Sequence, residues 1–76
     1  MSQKKYPKFW WRTGWMEFEL NLPEMERRLF SYAITLYGVW GKYDGCLSGE
    51  SLSYFEKEIK PDLDKQHQRM DKGLEP

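Results

Sequence analysis

The chain of 76 residues holds one cysteine and one histidine. A lone cysteine closes no internal disulfide, and the pair is a poor donor set for a metal. No run of about 18 apolar residues occurs, so no membrane-spanning helix is expected. No charged-then-apolar leader opens the sequence, so a cleaved secretory signal is not expected either. An excess of one charge is also missing. Twelve Lys and Arg balance twelve Asp and Glu, which argues against a globally basic nucleic-acid binder. Phosphate-binding loops, paired-cysteine zinc patterns and nucleophile elbows are absent from the pattern. Repeats, low-complexity stretches and domain-dividing linkers are absent as well. The length leaves room for one domain, burying about 60% of its unfolded surface.

What is abundant is aromatic: four Trp, five Tyr and four Phe, 17% of the chain against 39% hydrophobic residues in all. The neutral charge also proves uneven. Lys4, Lys5, Lys8 and Arg12 face no acid within residues 1–12, so a basic arm precedes a mildly acidic body. Residues 1–10 read as a partly flexible basic arm, 11–72 as one helical domain and 73–76 as a frayed tail.

Trp11, Trp15, Phe18 and Leu22 step by four, three and four, one helical stripe. A short helix is predicted from Thr13, as N-cap, to Leu20. Asn21-Leu22-Pro23 breaks the chain and restarts it, with Glu24 and Glu26 suited to a helix start. Met25, Leu29, Ala33, Leu36 and Trp40, broadened by Phe30, Ile34 and Tyr37, predict a central helix packed on more than one side. Gly41 terminates it. After a loop over Gly41–Gly45, Ser48 is the expected N-cap of a third helix carrying Leu52, Phe55, Ile59 and Leu63. Pro61 falls inside that pattern, so a kink near Lys57–Pro61, or two helices meeting there, is expected. The core is expected to include Trp11, Trp15, Phe30, Tyr37, Trp40 and Phe55.

Few residues suggest chemistry. His67 stands in a polar stretch with Asp64 and Asp71 three before and four after it, and is expected on the solvated surface. Cys46 lies just before the third helix and is expected as a small buried apolar residue rather than a reactive thiol. The carboxylates Glu17/Glu19, Glu24/Glu26 and Asp62/Asp64 are spaced by two, which sends each pair to different sides of a helix. No catalytic residue, cofactor or metal is expected. The stretch Lys4-Lys5-Tyr6-Pro7-Lys8-Phe9-Trp10-Trp11-Arg12 stands apart. Cations interleaved with rings combine phosphate neutralisation with base stacking. The same pattern arises when a solvated arm precedes a core-packing Trp.

Phe9-Trp10-Trp11-Arg12-Thr13-Gly14-Trp15 leads into Leu22-Pro23-Glu24-Met25-Glu26-Arg27, then Ala33-Ile34, Tyr37-Gly38 and Gly41. Phe55, Ile59-Lys60-Pro61-Asp62-Leu63-Asp64, Arg69 and Gly73 follow. This arrangement, over roughly residues 9–73, resembles an uncharacterised small helical domain found in phage and mobile-element proteins. There it forms the N-terminal end of longer proteins considered replication-associated. The resemblance implies a bacterial cytoplasmic setting and brings no catalytic residues with it. The present sequence ends where those longer proteins continue into a linker.

Together these features predict an all-α bundle of three principal helices, the third kinked or split near Pro61. The expected function is a non-enzymatic interaction module that binds a protein partner or a second copy of itself. Phe9, Trp10, Tyr43 and Tyr54 are its candidate partner-binding rings. The alternative is a nucleic-acid-binding accessory protein acting weakly through Lys4, Lys5, Lys8 and Arg12.

Overall fold

A computed structural model describes residues 4–76. It contains helix α1 (Thr13–Leu20), helix α2 (Glu24–Trp40), helix α3 (Gly49–Tyr54), a π-helical segment (Phe55–Ile59) and helix α4 (Lys60–Asp71). The all-α architecture of three principal helices, the third divided, is as the periodicity predicts. The start of α1 differs in detail: Arg12 occupies the N-cap and makes no side-chain capping bond. Its carbonyl takes the Trp15 and Met16 amides instead. Ser48 is the N-cap of α3, also without a side-chain bond. Gly41 ends α2 in the left-handed region at φ 67°, where a glycine avoids the Cβ clash.

The division of the third helix has a local cause. Pro61 has no amide hydrogen, and in a regular α-helix its ring would strike the carbonyl four residues back, on Lys57. The chain widens to π geometry over Phe55–Ile59, ending two residues before that proline. Phe55 and Ile59, the first and last residues of the widened turn, are both buried. The widened turn therefore keeps one face against the core, while Glu56, Lys57 and Glu58 face solvent.

The core comprises Trp15 from α1; Phe30, Ala33, Ile34 and Tyr37 from α2; Leu47 from the loop; and Phe55, Ile59 and Leu63 from the third helix. Trp11, Phe18 and Leu22 pack against it from the predicted stripe. Phe18 stacks on Tyr54 at 4.0 Å between ring centroids and tilts against Phe30 at 5.3 Å. Tyr37 meets Phe55 edge-on at 5.7 Å, a favoured aromatic geometry.

Two expectations for α2 are corrected. Trp40 is 39% exposed rather than core. The helix is also covered on one side, not several: Met25, Leu29 and Tyr32 are exposed. The wide stripe consists of a core face and an outward face. Periodicity alone could not separate them, because both are apolar.

Candidate nucleic-acid interface

A helix end leaves its last carbonyls without intrahelical partners. In α2 these needs are met by three groups. Gly41 donates its amide to Tyr37 O at 2.7 Å, and Tyr6 of the arm donates its amide to Val39 O at 2.8 Å. Gly38 O faces His67 Nε2 at 2.9 Å. A carbonyl only accepts, so this contact requires the hydrogen on Nε2. His67 is 7% exposed, which corrects its expected surface position. Its ring is sandwiched into the domain by Tyr6, stacked at 3.9 Å, and by Tyr37 at 6.0 Å. Asp64 accepts the Tyr37 hydroxyl. Burial, with Asp64 beside it, pushes the Tyr37 phenol well above its ordinary value.

The arm runs opposite to α4 and is clipped to it along its length. Lys4 pairs with Asp71. Gln66, 1% exposed, grips the backbone of Trp10 on both sides. Its Oε1 accepts the Trp10 amide at 2.7 Å, and its Nε2 donates to Trp10 O at 3.1 Å. The same Nε2 reaches Asp62 at 3.2 Å. Arg12 holds Asp62 with two donors, Nε at 2.7 Å and Nη2 at 2.9 Å, the bidentate fork that favours arginine over lysine. Arg12 beside Asp62 holds that carboxyl below its ordinary range. Lys4 does the same to Asp71. Residues 73–76, expected as a frayed tail, also make contacts: Leu74 N donates to Arg69 O, Arg69 to Glu75 O, and Lys8 pairs with Glu75.

Docking the arm across the end of α2 creates an open groove of about 570 Å³, lined by Lys4, Tyr6, Trp40, Lys42, His67 and their neighbours. Lys5 lies over the Trp40 ring at 5.9 Å from its centroid. Lys60 lies over Tyr37 at 5.9 Å, and Tyr37 also lines the groove. Lys4, Lys5 and Lys42 thus share one end of the domain with an exposed indole. Asp64 also lines the groove, its carboxylate accepting the Tyr37 hydroxyl, and Asp71 pairs with Lys4.

The sequence-predicted residues divide accordingly. Lys4 lines the groove and Lys5 lies over the Trp40 ring, whereas Lys8 pairs with Glu75 and Arg12 is committed to Asp62. Among the candidate partner-binding rings, Trp10 is 50% exposed. Phe9 lies against Gly38, Tyr43 stacks on Phe55 at 5.1 Å, and Tyr54 stacks on Phe18. Trp40, Lys42 and Lys60 carry no sequence signal for this site. Only the tertiary approach of the arm brings them beside Lys4 and Lys5. Cys46 sits half-buried in the loop, where its amide bonds Asp44 at 3.1 Å. Burial, assisted by Asp44, pushes its thiol up to about 11.

Among the described residues no helix is long and apolar enough to cross a membrane. Comparison with protein families, with curated proteins and with solved structures finds no match to this chain.

Proposed function

We propose that this helical domain is a non-enzymatic accessory protein that binds single-stranded nucleic acid in the groove between the arm and the end of α2. The observation that carries the reading is Trp40, an exposed indole with Lys5 over its ring and Lys4 and Lys42 in the same groove. An exposed aromatic platform with ammonium groups in the same groove offers a base a stacking surface and a phosphate a counter-charge. The ion pair Lys4–Asp71 is exposed on both sides. Such pairs contribute little stability, so a phosphate can exchange for the carboxylate at small expense. The acidic body confines attraction to this end and keeps binding weak.

Protein binding through Phe9, Trp10, Tyr43 and Tyr54 has less to stand on, since Phe9, Tyr43 and Tyr54 are half-buried and packed within the domain. The resemblance to a domain of replication-associated phage and mobile-element proteins fits a nucleic-acid role in a bacterial cytoplasm, and we extend the proposal to that setting. The test is tryptophan fluorescence during titration with oligothymidylate at low salt. Saturable quenching that disappears in Trp40→Phe, with the other three tryptophans retained, supports the reading. Quenching unchanged by that substitution removes it.

A further inference from the structure

Given the nucleic-acid reading, we infer that the groove selects guanine among the bases of a single strand, with Asp64 accepting the two adjacent donors of its Watson–Crick edge while the base lies against Trp40. Asp64 is an anomaly in a groove that also holds Lys4 and Lys42, because a carboxylate repels phosphate. The other carboxylates near the arm each hold a cation: Asp62 has Arg12, Asp71 has Lys4 and Glu75 has Lys8. Among the described residues Asp64 has no ion-pair partner. Its side chain takes one hydrogen bond there, from the Tyr37 hydroxyl. Burial keeps that phenol protonated, so the hydroxyl is a constant donor that holds the carboxylate in place. An ionised carboxylate accepts at about four lone-pair sites. With one site occupied, this half-buried acid has capacity for donors from outside the chain.

The surroundings narrow down those donors. Tyr37 links the acid to the indole: its hydroxyl holds Asp64, and Trp40 follows three residues on, at a neighbouring position on α2. Trp40 is exposed and shares the groove with Asp64, and the volume of about 570 Å³ suits a ligand of nucleotide size. A base in a single strand is read by stacking on a ring and by hydrogen bonds to its Watson–Crick edge. Guanine presents two adjacent donors there, N1–H and N2–H. They match the two oxygens of one carboxylate, as the Arg12 fork matches Asp62. Adenine and cytosine set a ring-nitrogen acceptor beside their amino group, and that lone pair would face a carboxylate oxygen. Thymine flanks its single donor with two carbonyls. A guanidinium from another protein carries the same fork as guanine. Lys4 and Lys42 in the same groove repel a further cation, however, and attract the phosphate of a strand. The acid thus serves the base and the lysines serve the backbone.

The experiment is competition binding of the full chain at low salt, read by fluorescence anisotropy, with short thymidine strands carrying one central guanine, adenine or hypoxanthine. The guanine strand is expected to bind about five- to tenfold tighter than plain oligothymidylate. Adenine stacks as well but offers one donor beside an acceptor, and is expected to gain about twofold at most. Hypoxanthine is guanine without its 2-amino group and is expected to lose most of the advantage, which tests the contact in the unaltered chain. Asp64→Asn keeps an oxygen for the Tyr37 hydroxyl. It is expected to bring guanine within about twofold of adenine, while binding of plain oligothymidylate is equal or tighter for want of a negative charge. Equal affinity of the unaltered chain for every strand overturns the guanine site, leaves Asp64 to a cationic group such as a guanidinium, and leaves the nucleic-acid reading standing. A guanine preference that survives Asp64→Asn also overturns it. Binding to none of the strands overturns both.

Discussion

Replacing Gly38 by alanine should destabilise this protein, against the usual rule for a glycine inside a helix. At an exposed helical position the change gains about 1 kcal/mol. Here an added Cβ would lie 2.5–2.6 Å from three atoms of the Phe9 ring. The ring must leave its place, and with it the arm shifts from the end of α2. Overpacking of this kind costs about 1–3 kcal/mol, and a half-buried phenylalanine loses a similar amount of burial. The net effect is a destabilisation of about 1–2 kcal/mol, visible as a fall of roughly 4–15 °C in melting temperature. The control is the same substitution in a Phe9→Ala background. With the ring gone the intrinsic preference returns, and Gly38→Ala should stabilise by up to about 1 kcal/mol. The double-mutant cycle in urea unfolding, read by tryptophan fluorescence, then gives a coupling of about 2–3 kcal/mol. A coupling near zero, with Gly38→Ala stabilising in both backgrounds, would refute the close docking of Phe9 on α2.

Gln66→Leu removes both bonds to the Trp10 backbone from a fully buried site. It should cost about 2–3 kcal/mol in chemical denaturation, whereas a change within about 0.5 kcal/mol would show that the clip is idle. Asp62 and Asp71 have folded-state pKa values below their ordinary ones. Their contribution is therefore present above the ordinary carboxylate range and is lost as pH falls through the depressed folded values. Protection of the arm's amides, taken relative to their intrinsic exchange rates, should fall below about pH 4, and Asp62→Asn should lower it already at neutral pH; equal protection at acid and neutral pH would contradict the Arg12–Asp62 clip. With its thiol pushed up to about 11 from 9.0, Cys46 should alkylate roughly a hundredfold more slowly than a free thiol at neutral pH. Labelling at the rate of a small thiol in the native protein would count against its burial.

Much of the fold is legible in the residues, because helix signals are local. Pro23 and Gly41 bracket α2, and the stripe from Trp11 to Leu22 announces α1. Pro61 foretells an irregularity, which takes the form of a π turn just ahead of it rather than a sharp kink. The arm is different. It has no periodicity, and its docking depends on groups that look like surface residues in sequence. Gln66 and His67 stand in a run of polar residues, and nothing local says that one will grip a backbone and the other will satisfy Gly38 O. The site follows the same division. Lys4 and Lys5 attract notice through their aromatic neighbours, but Trp40 reads as one more core residue in an apolar helix. Lys42 reads as a loop lysine. Their meeting depends on where an irregular segment settles, and no spacing rule encodes that.

The most direct measurement of the central claim is the salt dependence of oligothymidylate binding, followed by fluorescence anisotropy of a labelled strand. Contacts from Lys4, Lys5 and Lys42 to about three phosphates give a slope of log K against log salt near −2 for a single strand. Removing Lys5 and Lys42 together should reduce that slope to about −0.7 while leaving the helical circular dichroism intact. Binding that is absent at low salt, or whose slope survives the loss of both lysines, would contradict the groove as a nucleic-acid site.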